Sequence, residues 1–117
     1  MSEHLTQIRL AELLRLARSK NASDLHITPA LTPVLRIDGV IQRFGSVISA
    51  QQCEKIAENL FSEHCRTKLR DCGDASVAYR DAELGPFRVH AYLTGAGISF
   101  AIRLLAADIP TLGACRP

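Results

Sequence analysis

The sequence has no tryptophan, and aromatic residues of all kinds make up only 5% of it. Its core must therefore be aliphatic, built from leucine, isoleucine, valine and alanine. No apolar run approaches the length that spans a bilayer. The N-terminal segment mixes basic and apolar residues instead of forming an apolar signal region, which argues for a reduced, cytoplasmic location. The four cysteines, at 53, 65, 72 and 115, lack C-x₂-C spacing and have no histidines at finger spacing, so a zinc finger is excluded. A surplus of one charge sign is also missing. The net charge is +2, and lysine and arginine are scattered along the chain. That pattern gives no support to a nucleic-acid partner or an anionic membrane surface. Most restrictive is the absence of G-x-x-x-x-G-K-[ST]. The chain alone cannot cradle a nucleotide in the P-loop manner.

What is present fits one domain of 117 residues. Leu10, Leu13, Leu14 and Ala17 recur at helical spacing, broadened by Leu5, Ile8 and Leu16, and predict a helix over about 4–20 that stops at Asn21. Residues 23–27 alternate polar and apolar, as a half-buried strand does. Val34–Ile37 and Val40–Phe44 flank Asp38-Gly39, the dipeptide that best supplies the two positive φ angles of a type I′ hairpin turn. Ser49 and Gln52 form a capping box ahead of the stripe Cys53, Ile56, Ala57, Leu60 and Phe61. A third helix is predicted over Ser62–Asp71, ending at Cys72-Gly73. Strands follow at about 74–80, 85–94 and 98–105, with Gly95-Ala96-Gly97 as the turn between the last two. The expected order is α-β-β-β-α-α-β-β-β, an α+β fold with a mainly antiparallel sheet of about six strands and helices packed against it.

Few residues carry candidate chemistry. Gly95-Ala96-Gly97 lies between two strands, so no helix N-terminus aims at an anion there and the glycines read as turn chemistry. Asp24 and His26 share one strand face; they read as a structural hydrogen bond, or as an acid–base pair lacking a nucleophile. Arg36 and Asp38 read as a solvated pair at the hairpin tip. Arg88 and Arg103 occupy neighbouring strands on the polar face. Spacing alone leaves them either as solvated surface charges or as two guanidinium groups on a rigid platform, suited to bidentate contact with a phosphate.

In combination these segments resemble the N-terminal, PAS-like domain of the type IV pilus and type II secretion motor ATPases, and among them the PilT-type twitching-motility retraction ATPases. The resemblance is carried by Ala22-Ser23-Asp24-Leu25-His26-Ile27, Leu35-Arg36-Ile37-Asp38-Gly39-Val40, Asp74-Ala75-Ser76, Phe87-Arg88-Val89-His90-Ala91-Tyr92, Ile102-Arg103 and Ile109-Pro110-Thr111-Leu112. It implies a PAS-like domain over 1–107, with 108–117 as a linker toward a RecA-like motor domain that this chain does not contain. It further implies a homo-hexamer in the full-length context, working with pilus or secretion machinery at the inner membrane. ATP and Mg would be held by the chain's own or a neighbouring subunit's motor domain, with Arg88 and Arg103 directed at the phosphates. A third arginine common in the family falls near Ala96, and the tail from Leu112 also departs from the family pattern. A stand-alone PAS-like module for a small ligand or a protein is the other reading.

Overall fold

The computed structural model describes residues 2–106, with side chains from Leu10 onward. The expected linker at 108–117 lies outside the described residues, as do Cys115 and the side chains of Leu5 and Ile8. Helix α1 (Ser2–Ser19) precedes strands β1 (Asp24–Ile27), β2 (Val34–Ile37) and β3 (Val40–Arg43). Helices α2 (Ala50–Leu60) and α3 (Glu63–Cys72) follow, and then strands β4 (Asp74–Asp81), β5 (Gly85–Thr94) and β6 (Gly97–Leu104). All strand pairs are antiparallel, in the order β3-β2-β1-β6-β5-β4. The expected α+β, PAS-like sheet is therefore present, and β6 closes it by inserting between β1 and β5.

Local chemistry sets each boundary. Helix α1 ends in a Schellman motif: the Ala22 N–H donates to the Ala17 carbonyl and the Asn21 N–H to that of Arg18. Asn21 sits at φ 58, the left-handed position that asparagine tolerates better than most residues. The box at α2 is complete, with the Gln52 N–H donating to Ser49 Oγ at 3.1 Å and the Ser49 N–H to Gln52 Oε1 at 2.9 Å. Gly73 stops α3 at φ 92. Asp38 and Gly39 turn the β2–β3 hairpin at φ 52 and φ 79, as their type requires.

Alternation then sorts the sheet into two faces. One row on the helix side runs Leu35, Leu25, Ile102, Val89 and Val77; the next runs Ile27, Phe100, Ala91 and Ala75. Apart from Val77, which packs half-buried against it, they form one buried cluster with Leu10, Leu14, Ala17, Ile48, Cys53, Ile56 and Leu69, a cluster with no aromatic rings but Phe61, Phe87 and Phe100. The other face carries exposed or half-buried side chains, except for Ser99, which is buried with no partner for its Oγ among the described residues. No helix among the described residues is long and apolar enough to cross a membrane.

The core position of Cys53 has a chemical consequence. Burial penalises the thiolate and pushes its pKa from 9.0 up to about 11. Because the unfolded chain gives up this proton first, stability declines as pH rises from about 9 toward 11. At pH 8, iodoacetamide should label exposed Cys72 within minutes and leave Cys53 unmodified until denaturant is added. Peptide mass mapping with and without urea checks this; equal labelling of both in the folded protein would contradict the buried position.

Candidate functional site

The uncovered sheet face collects the polar residues of all six strands into rows. Strand register places Asp24 opposite Arg36 on one side and Arg103 on the other, and Arg103 directly opposite Arg88. Four charged side chains from β2, β1, β6 and β5 thus stand side by side, at the ~5 Å spacing of cross-strand neighbours. Like charges directly opposite each other disfavour a sheet, so the Arg88–Arg103 pair calls for compensation. Asp24 supplies part of it. Its Oδ1 lies 3.4 Å from Arg103 Nε and its Oδ2 3.8 Å from Arg36 Nε. The Ser23 hydroxyl donates to Oδ2 at 2.8 Å. The carboxylate is only 16% exposed, whereas the Arg103 side chain is 68% exposed. The Arg88 side chain makes no hydrogen bond or ion pair among the described residues. Ser23, Asp24, His26, Arg36 and Arg103 line a shallow, open groove along this row.

A second row runs Arg43, Val34, His26, Ala101, His90 and Ser76. Ser76 Oγ and His90 Nδ1 are 2.7 Å apart, His90 Nε2 lies 3.5 Å from Asp74 Oδ2, and the imidazole stacks on Tyr92 at 5.9 Å. Serine, histidine and aspartate in line form a nucleophilic triad when water is kept out. Here the His90 and Asp74 side chains are 41% and 56% exposed, so the arrangement is a solvated network that ties β4 to β5.

Two pairings expected from the sequence are replaced. Asp24 meets the arginines of the flanking strands instead of His26, and Arg36 meets Asp24 instead of Asp38. The physical reason is geometric. Residues two apart on one strand lie further apart than directly opposed residues on adjacent strands, and Asp38 is taken up by the turn. Arg88 and Arg103 are brought together as expected. Sequence reading missed that Arg36, Arg43 and Arg80 share their face, with only Asp24 and Asp74 as carboxylates. Arginines scattered along the chain are gathered in space, and this face holds the positive excess of a chain whose net charge is only +2. Strand alternation alone could have placed each arginine on the polar side; the strand order that makes them neighbours depends on long-range pairing.

No family model matches the chain. It is 22% identical over 104 residues to the type IV pilus retraction ATPase PilT of Pseudomonas aeruginosa, covering 88% of this chain and 30% of PilT. It is 28% identical over 102 residues to the type IV pilus ATPase PilU of the same organism, covering 86% of this chain and 27% of PilU. The crystal structure of the pilus retraction motor PilT with bound ADP superposes with a TM-score of 0.77 at 30% identity, over 85% of this chain and 29% of that one. In sequence and fold, the chain is homologous to the N-terminal domain of the pilus motor ATPases.

The ATPase DotB of Legionella pneumophila shares the fold as well, with a TM-score of 0.73 at 19% identity over 85% of this chain. The chain spans less than a third of the length of the pilus motor ATPases it matches. In this chain the helices occupy one sheet face, and the arginine row stands on the face they leave open.

Proposed function

We propose that the chain acts as the N-terminal regulatory and oligomerisation domain of a hexameric type IV pilus retraction ATPase, or of a type II secretion ATPase. Its open sheet face docks on a RecA-like motor domain, its own or a neighbouring subunit's, and directs Arg88 and Arg103 at the phosphates of ATP–Mg held there. The work takes place in the cytoplasm, against pilus or secretion machinery at the inner membrane. The observation that carries the reading is the direct opposition of Arg88 and Arg103 on a face left uncovered by helices, with Arg88 unpaired among the described residues. Two like charges held next to each other without full compensation cost stability, and an anion supplied from outside removes that cost. The stand-alone reading for a small ligand calls for a chamber in the core; Phe87, Phe100, Leu25, Ile27, Leu35 and Ile102 fill its centre, and a cavity of about 200 Å³ lies at its edge beside Leu10, Leu14, Ile56, Leu60 and Tyr79.

Docking is the direct test. The labelled chain is titrated with the motor region of a retraction ATPase lacking its own N-terminal domain, with ATP–Mg present, and binding is followed by fluorescence anisotropy. The double charge reversal Arg88→Glu, Arg103→Glu should weaken binding by roughly 30-fold or more, the scale of losing complementary interface charges. Added salt should weaken wild-type binding in the same direction. Wild-type affinity in the reversed protein would remove these arginines from the interface.

A further inference from the structure

The Ser23-Asp24 step has no part in the docking reading, yet Asp24 holds the most sheltered charge on the open face. Its carboxylate sits where an incoming phosphate oxygen would have to sit to reach Arg36 and Arg103 together. It is flanked by both guanidinium groups, oriented by the Ser23 hydroxyl, and bordered by the groove that His26 lines. Arginine accepts carboxylate and phosphate through the same fork of N–H donors, so the two compete for one set of bonds. Both contacts are long, at 3.4 and 3.8 Å, which leaves the guanidinium donors incompletely used. Arg103 itself is largely exposed, so an anion can reach it from solvent.

We infer that Asp24 is an internal counter-ion that keeps Arg36 and Arg103 self-paired, and that an oligophosphate ligand must displace it to occupy the groove. The inference rests on the phosphate-directed reading of the arginine face and specifies how that face is regulated. Asp24 then acts as a positioning residue. It holds the arginines apart from ligand until a ligand of higher charge competes, and it disfavours singly charged anions.

The test uses the isolated chain and inorganic tripolyphosphate, with binding measured by titration calorimetry at low ionic strength. Asp24→Asn removes the negative charge at nearly constant shape and should tighten binding by roughly tenfold, from loss of like-charge repulsion at partly screened short range. Asp24→Ser should give a gain of similar size, and thermal melting of both variants confirms that they fold. Adding Arg103→Ala to Asp24→Asn should abolish the gain. Structural damage lowers affinity, so a gain cannot come from misfolding. Equal or weaker binding by the Asp24 variants, or a gain that survives loss of Arg103, would overturn the inference. Absence of any tripolyphosphate binding in all variants would overturn it too. None of these outcomes depends on whether charge reversal at Arg88 and Arg103 abolishes docking, so the two readings fail separately.

Discussion

Replacing Phe100 by alanine should destabilise the domain by about 3–5 kcal/mol, the range for removing a buried aromatic from a close-packed core. For a domain near 100 residues this lowers the melting temperature by roughly 15–30 °C. Phe100 is fully buried on β6, the strand that joins the two halves of the sheet. It is paired with Ile27 of β1 and Ala91 of β5. The small Ala91, with Ala75 beyond it, leaves the room that the ring fills, and those alanines cannot expand into the cavity left by its loss. Ile41 is the comparison. It is 59% exposed on edge strand β3, and Ile41→Ala should change stability by no more than about 0.5 kcal/mol. Urea and thermal unfolding followed by circular dichroism measure both. A Phe100→Ala protein within 1 kcal/mol of wild type would mean that β6 is not the central packing strand.

Most of this architecture was legible because local chemistry and global pattern agree. Asn21, Asp38-Gly39, Ser49 with Gln52, and Gly73 each mark a boundary through a conformation or a hydrogen bond that few residues provide, and each is used as read. Alternation in β5 and β6 separated Phe87, Val89 and Phe100 from Arg88 and Arg103 before any pairing was known. Partner choice was not legible. Asp24 could be assigned to His26 only as long as β1 was considered alone. Once β6 pairs with β1 on one side and β2 on the other, opposed residues across strands outcompete residues two apart on the same strand. The concentration of arginine on one face was hidden for the same reason. Charge dispersed from Arg36 to Arg103 along the chain becomes a patch only through strand order, and strand order is set by contacts distant in sequence.

The same geometry makes the two central arginines unequal, and this yields the largest functional effect expected. In a polypeptide that joins this chain to a motor domain, Arg88→Ala should lower the kcat of ATP hydrolysis by about 100-fold, the scale for removing one preorganised group that stabilises developing charge. Arg103→Ala should cost less, because on the proposed reading Arg103 would have to release Asp24, 3.4 Å away, to reach the phosphates. Part of its charge is already spent in the ground state, whereas Arg88 has no such partner among the described residues. Arg88→Lys should rescue little of the loss, because an ammonium group provides charge without the planar fork that grips two phosphate oxygens. Steady-state kinetics separate the contributions: a group acting on transition-state charge lowers kcat, and one acting only in docking raises KM. Unchanged kcat in both alanine variants would remove the phosphate role. A larger loss at Arg103 than at Arg88 would mean that the Asp24 contact orients Arg103 for the reaction instead of restraining it.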